Sequence, residues 1–269
     1  MKQCLRPPCW LLALGLMWQG SGVLAACEKT VRLPDTVPYA VKDERGTLQG
    51  GLHVDLIREA LHRMQCDARF VDMPWARSLI ELQSGQIDLL PGAADTPERR
   101  AYALFSRPIN NARNVLFVHS DENKKFRLPQ LSSIVGTEFK LAVRRGAVYG
   151  GQYDSLINEP KFVSHLYYVP SAKSGFLMLA AGRVDGMLAD ELTGLRNIEQ
   201  LGLKQQIARA ELVIAQAPDL VAFSKATNDA AFVNKFNAAL GSMAADGSYM
   251  RILERYMSCA ISMETLGCR

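Results

Sequence analysis

The stretch Gly50–Val71, GGLHVDLIREALHRMQCDARFV, decides the fold class. Val54, Ile57, Leu61 and Met64 recur at helical spacing, giving an amphipathic helix with Asp55 in its first turn. Arg69-Phe70-Val71 then reads as a strand, and Val31-Arg32-Leu33, closed by Pro34, reads as the strand before the helix. Strand, helix and strand within about 40 residues make a βαβ unit. The pattern continues with a helix from about Pro74 to Ser84, Gly85 as its stop, and a strand from Ile87 to Leu90. The class is α/β with parallel pairing.

The second half repeats this order. Leu141-Ala142-Val143 is a strand, Phe162–Val169 holds another, Ser171 caps a helix through Ala181, and Gly186–Leu188 is a further strand. Leu82-Gln83-Ser84-Gly85-Gln86-Ile87-Asp88 matches Leu179-Ala180-Ala181-Gly182-Arg183-Val184-Asp185 in its leucine, glycine and aspartate. Two similar lobes follow from the shared order. Asp121-Glu122-Asn123-Lys124-Lys125 has linker composition between them. Leu220–Phe223 is a returning strand; Asn228 or Asp229 opens a helix carrying Phe232, Phe236 and Leu240 on one face; Gly247 breaks it, and Tyr249–Met257 is a last helix. A strand leading out and a strand leading back imply a cleft between the lobes.

Composition limits what that cleft serves. The 269 residues are 48% hydrophobic and 22% charged, ordinary for globular domains. Residues 1–26 carry Lys2 and Arg6, the apolar run Trp10–Trp18 and the small pair Ala25-Ala26, the pattern of a secretory leader too short to span a bilayer comfortably. Periplasmic residence is expected. The 31 cations and 27 anions leave only a mild positive excess, which argues against a nucleic-acid partner. Cys4 and Cys9 leave with the leader, whereas Cys27, Cys66, Cys259 and Cys268 remain, an even number in an oxidising compartment. Cys27 and Cys66 each precede a strand; parallel neighbours would bring them within bridging reach, and Cys259 is expected to pair with Cys268. The competing reading takes Leu24-Ala25-Ala26-Cys27 as a lipidation signal, which would anchor the chain at Cys27. No close Cys or His pairs have metal-ligand spacing, so no metal or other cofactor is expected.

Candidate site residues cluster where strands end. In Asp95-Thr96-Pro97-Glu98-Arg99-Arg100, Thr96 suits an N-cap and Pro97 a first helical position. Arg99 is the anomaly, because a cation in the first turn opposes the helix dipole. It is either a solvated surface arginine or, with the free N–H groups of that turn, a clamp on a carboxylate. Trp75 follows a strand's C-terminal end, where open α/β sheets bind ligands. Asp190 occupies the same end of its own strand, either capping the next helix or holding a cation. Gly146-Ala147-Val148 forms another strand-to-helix turn. No nucleophile-elbow, zincin, P-loop or dinucleotide motif occurs.

GGLHVDLIREALHRM, PWARSLIELQSGQIDLLPGAADTPERRAYALFSRPI, LAVRRGAVYG, LAAGRVDGMLADE and NKFNAALGSMAADGSYMRILERYM, in that order and spacing, resemble the successive motifs of the family 3 bacterial extracellular solute-binding proteins. These are the periplasmic receptors of polar amino-acid ABC importers. The resemblance implies a type II periplasmic-binding fold: lobe one from residues 27–118 plus 221–269, lobe two from 119–220, and two hinge strands crossing near Phe117–His119 and Leu220–Phe223. It implies that Arg99 binds the ligand's α-carboxylate and Asp190 its α-ammonium. Trp75 falls at the aromatic wall, Gly92 where a backbone carbonyl meets the ammonium, Val148 where a backbone N–H meets the carboxylate, and Tyr39 within the same ligand-binding set. Gly92, Ala94, Ala147 and His53 depart from the residues the family often carries at these places. A monomeric receptor of a small zwitterion, partnered by an inner-membrane ABC permease, is the function implied. A cyclohexadienyl-type dehydratase using Asp190-Glu191 and Arg99, or a stand-alone ligand sensor, are the alternatives on the same fold.

Overall fold

The computed structural model describes residues 27–34, 36–120, 128–145, 147, 149–257, 261–264 and 266–268. Along the chain these form β1 (Cys27–Leu33), β2 (Val41–Lys42), β3 (Leu48–Gly50), α1 (Leu52–Arg63), β4 (Cys66–Asp72), α2 (Trp75–Ser84), β5 (Leu89–Ala93), α3 (Pro97–Arg100), β6 (Ala103–Phe105) and β7 (Asn110–His119). There follow β8 (Leu141–Arg144), α4 (Gly151–Leu156), α5 (Pro160–Val163), β9 (Leu166–Val169), α6 (Ala172–Ala180), β10 (Gly186–Asp190), α7 (Glu191–Gln200), β11 (Ile207–Ser224), α8 (Ala230–Ala245), α9 (Ser248–Tyr256), β12 (Ile261–Ser262) and β13 (Gly267–Cys268).

The strand order β4-β1-β5-β11-β7-β10-β8-β9, with β6 also on β11, resolves into two lobes. In the first, β1 runs parallel to β4 and β5, joined through α1 as the opening stretch predicts. In the second, β8 runs parallel to both β9 and β10. Strand β11 belongs to both: it pairs antiparallel with β7 from Ile207 to Asp219, then with β5 and β6 from Leu220 to Ser224. This is the α/β, two-lobed architecture expected from the sequence, with β7 and β11 as the connecting strands.

Continuous apolar runs arise because the sheets are covered on both faces. Leu116, Val118, Leu141, Val143 and Leu188 pack into one cluster, and Val115, Phe117, Ala142, Met187 and Ala189 into another, so alternate residues of each strand serve opposite layers. The first lobe does the same with Leu89, Val221 and Phe223 on one face and Leu90 and Ala222 on the other.

The repeated glycine–aspartate motif has a shared structural use. Gly85 and Gly182 both follow a helix with positive φ, 82° and 63°, a conformation glycine adopts without the Cβ penalty. Three residues on, Asp88 donates its backbone N–H to the Thr30 carbonyl at 2.8 Å and accepts the Thr30 N–H on its carboxylate at 2.7 Å. Asp185 does the same to Lys140, at 2.8 and 2.7 Å. Each aspartate thus pins the lobe's first strand, at Thr30 within β1 and at Lys140 just before β8, to the strand that follows the helix.

Two strands differ from their sequence expectation. The strand expected over Ile87–Leu90 runs instead over Leu89–Ala93, because Asp88 is engaged in the pin just described. The returning strand, expected only over Leu220–Phe223, is the end of the 18-residue β11. Pro218 does not interrupt it: this residue sits where β11 has β7 on one side and has not yet met β5, so its missing N–H breaks no ladder bond. The crossing expected near Phe117–His119 falls in the part of β7 that pairs with β10 and β11.

Cys27 and Cys66 are directly opposite in the β1–β4 register and form a disulfide with Cα atoms 4.5 Å apart. Cys259 and the Cys268 side chain lie outside the described residues. The Cys27–Cys66 bond closes a loop of sequence separation 39, and loop-closure entropy puts its stabilisation at about 3–4 kcal/mol. A Cys27→Ser/Cys66→Ser variant is expected to unfold at lower urea concentration by that margin with its fold retained. An unchanged midpoint would show that the unfolded chain gains no freedom from losing the bond.

Candidate functional site

The cleft face of the first lobe begins at a glycine. Gly51 precedes α1 at φ 137°, and a Cβ there would lie 2.4 Å from the Tyr39 carbonyl oxygen. Only a glycine lets the helix start approach that closely. The first turn of α1 then bonds to the preceding loop, Leu52 N–H to the Pro38 carbonyl at 2.9 Å and His53 N–H to the Tyr39 carbonyl at 3.2 Å. These contacts set the Tyr39 ring against the His53 ring, with centroids 4.5 Å apart.

His53 is 3% exposed and starts a chain of buried polar groups. Its Nε2 lies 2.7 Å from Asn110 Oδ1, and Asn110 Nδ2 donates to Asp219 Oδ2 at 2.8 Å. Because the amide nitrogen faces the carboxylate, its oxygen faces the imidazole and Nε2 is the donor. Nδ1 is then a bare acceptor, buried without a partner among the described residues. Burial, opposed by the Asn110 bond, pushes the His53 pKa down to about 4, so the ring is neutral at physiological pH. Burial also pushes Asp219 up to about 6.

Asp190, at the end of β10, faces Tyr39 from the second lobe. Its Oδ1 accepts the Thr193 N–H at 2.9 Å, capping α7, and its Oδ2 accepts the Tyr39 hydroxyl at 3.0 Å. Burial raises its pKa to about 6, with the Thr193 and Tyr39 hydrogen bonds working in the other direction. A cavity of about 160 Å³ opens beside it, with Tyr39, Asn114, Arg144, Tyr149 and Thr193 among its lining residues. Tyr149 holds this wall together: its hydroxyl accepts the Arg144 N–H at 2.8 Å and its carbonyl accepts Asn114 Nδ2 at 3.0 Å. The neighbouring Glu191 is 3% exposed and ion-paired to Arg113 at 2.6 Å and to Arg209.

Arg99 and Trp75 form a second group. Thr96 caps α3 by accepting the Arg99 N–H at 3.3 Å, with Pro97 in the first turn. Arg100 makes a two-point pair with Asp95 at 2.6 and 2.8 Å. Arg99 instead donates Nη1 to the Ala94 carbonyl at 2.9 Å and places its guanidinium 5.8 Å from the Trp75 ring. The guanidinium of the buried Arg32 lies 5.6 Å from the same ring. Among the described residues no carboxylate pairs with Arg99.

The structure therefore brings Tyr39 and Asp190 into contact, sets Trp75 beside Arg99, and leaves Gly92 near His53, whose Cε1 would be 3.6 Å from a Cβ at that glycine. No bond among the described residues joins Arg99 to Asp190, and Arg99 and Trp75 are not part of the cavity beside Asp190. Arg32 lies between the groups: it stands over Trp75 and its charge helps hold His53 neutral. Val148 is outside the described residues. Asn110, Asp219, Arg144 and Arg32 carried no distinctive sequence signal, since no local motif sets them apart from other polar residues in or beside strands.

The family model of the bacterial extracellular solute-binding proteins, family 3, matches residues 30–258. The lysine/arginine/ornithine-binding periplasmic protein of Escherichia coli (strain K12) is 26% identical, over 91% of this chain and 95% of that one. Among solved structures, an amino acid ABC transporter substrate-binding protein from Streptococcus pneumoniae bound to L-arginine superimposes with a TM-score of 0.64 at 22% identity, covering 85% of this chain and 93% of that one. A histidine kinase sensor domain with similarity to periplasmic binding proteins gives 0.67 at 21% identity, over 87% and 96%. The match over most of the chain, on a fold of two lobes joined by β7 and β11, makes this protein a member of the bacterial extracellular solute-binding proteins, family 3.

Proposed function

We propose that this chain is a periplasmic receptor that captures a small zwitterion, an amino acid, between its lobes and delivers it to an ABC permease. The observation that carries this is the state of Asp190: a half-buried carboxylate beside a small cavity, whose hydrogen-bond partners, the Tyr39 hydroxyl and Thr193, are uncharged. A buried carboxylate without a counter-cation is costly, and an ammonium group entering the cavity would supply one. Arg99 offers the complementary charge on the other lobe, with no protein carboxylate of the described residues claiming it. Tyr39, Trp75, Gly92 and the Val148 N–H complete the proposed ligand shell. Relatives that bind amino acids support this reading.

Glu191 bears on turnover. The dehydratase alternative needs it beside Asp190 as a proton donor or acceptor, yet its carboxylate is held by Arg113 and Arg209. With both oxygens engaged by guanidiniums, the carboxylate is not turned towards a ligand, which supports binding without chemistry.

We set the two lobe crossings at Asn110–Arg113 and Gln216–Asp219. Residues 114–118 of β7 are paired with β10, and residues 220–224 of β11 pair with β5 and β6, so the segments between them have fewer strand neighbours. Torsion changes there would rotate one lobe against the other, and a ligand touching both lobes would favour the closed state. Small-angle scattering is expected to show a smaller radius of gyration at ligand saturation; an unchanged radius would count against closure.

Loss of one buried charge partner costs about 2–5 kcal/mol. Arg99→Ala and Asp190→Ala are each expected to weaken amino-acid binding roughly 30-fold or more in calorimetry, with melting behaviour near that of the parent. Retained affinity in Asp190→Ala would mean that the ligand lacks an ammonium group. Retained affinity in Arg99→Ala would remove the carboxylate assignment.

The pH dependence has a definite sign. In the free protein burial holds Asp190 at about 6, and a bound ammonium would lower that value by favouring the ionised form. Binding is therefore expected to release a proton near pH 5.5 and to weaken by up to about tenfold per unit as pH falls below 6. Calorimetry in buffers of different ionisation heat measures the proton, and Asp190→Asn should abolish its release. Proton uptake would contradict the assignment.

A further inference from the structure

The charge pattern around the cleft points beyond a generic zwitterion. Two arginines of the proposed site have no carboxylate partner among the described residues: Arg99, held by the Ala94 carbonyl and Trp75, and Arg144, at the end of β8 in the wall of the Asp190 cavity. Three carboxylates lie nearby, but two are already engaged. Glu191 is neutralised by Arg113 and Arg209, and Asp219 is tied to Asn110 beneath the His53 ring. Among the described residues Asp190 is the one carboxylate lining the cavity, and Arg144 the one cation.

The aromatic wall has the same bias. A cationic ligand side chain would gain most by stacking on Trp75, but that ring already has the guanidiniums of Arg32 and Arg99 at 5.6 and 5.8 Å. A further cation there would compete with these guanidiniums for the ring and meet the Arg99 charge, which no carboxylate among the described residues offsets. An anionic side chain meets no such cost. The cavity of about 160 Å³ is also far below the several hundred Å³ typical of sites for drug-sized ligands, which suits a short side chain.

We propose that the ligand is an acidic amino acid, its ammonium on Asp190, its α-carboxylate on Arg99 and its side-chain carboxylate on Arg144. This rests on the zwitterion site proposed above and names the ligand class of that site. Arginine can take a carboxylate through two parallel N–H bonds, a geometry that a side-chain amide cannot match in charge. Discrimination of acid from amide then comes from the second guanidinium, and discrimination against lysine and arginine from the cations around Trp75.

Calorimetry at fixed ionic strength and pH 7.5 with L-glutamate, L-aspartate, L-glutamine, L-asparagine, L-lysine and L-arginine tests this. One of the two acids is expected to bind at least tenfold tighter than its own amide and tighter than either cationic amino acid. In Arg144→Gln, confirmed as folded by its melting curve, the acid-to-amide ratio is expected to collapse to within about threefold. If an amide, lysine or arginine binds tightest, the acidic ligand class is overturned while the zwitterion site stands. If the acid preference survives in Arg144→Gln, the assignment to Arg144 is overturned. If none of the six binds, the zwitterion site and this proposal fall together.

Discussion

Every feature of the cleft hangs on the antiparallel ladder between β7 and β11. It runs from the His119–Ile207 pair to the Asn110–Asp219 pair, after which β11 alone passes into the sheet of the first lobe beside β5 and β6. A ladder of backbone hydrogen bonds can twist and bend but cannot lose its partners cheaply, since each buried peptide group must stay paired. The lobes are thus coupled by an element that resists separation and permits rotation. Asp190 reaches the cleft because β10 is registered on β7, with Asp190 opposite Asn114, and the Asn114 side chain in turn holds the Tyr149 wall.

Near the end of the ladder, the largely buried chain Asp219–Asn110–His53 carries orientation from the proposed lobe crossing to the candidate site. An ionised carboxylate can only accept, which turns the Asn110 amide so that its oxygen meets the imidazole. His53 is thereby fixed as the Nε2–H tautomer, and its ring supports Tyr39, whose hydroxyl crosses to Asp190. Low dielectric makes such a chain sensitive to the loss of any member. One polar relay therefore links strand geometry at the crossing to the position of a hydroxyl in the cleft.

The sequence made the fold legible where apolar periodicity and punctuation agreed. Val54, Ile57 and Leu61 marked α1, Gly85 and Gly182 marked helix ends, and the match between Asp88 and Asp185 pointed to two similar lobes, though not to the pin that the aspartates make. The strand starts after Cys27 and Cys66 were enough to pair those cysteines. β11 was harder to see, because Pro218 imitates a terminator and only the three-dimensional position of the crossing makes it harmless. The site was legible in parts. Trp75, Arg99 and Asp190 stand at strand or helix ends where side chains face clefts. Asn110, Asp219 and Arg144 owe their positions to strand register across distant segments, which no local pattern reports. His53 sits on the buried stripe of α1 and gives no sign of its partners 57 and 166 residues away.

Asp190 shows how a receptor can hold a charged site ready without stabilising it fully. Its carboxylate is given an N-cap bond and a tyrosine bond, enough to orient both oxygens, while burial keeps the ionised form less favourable than in water. Full satisfaction by a fixed protein cation would lower that cost and leave nothing for a ligand to gain. No satisfaction would let the carboxyl protonate and rotate. If the lobes close as proposed, the Tyr39–Asp190 bond between them would favour the closed arrangement before any ligand arrives. An ammonium group on Asp190 would then stabilise the same arrangement more strongly, and by that difference in affinity for the two states it would shift the lobes towards closure.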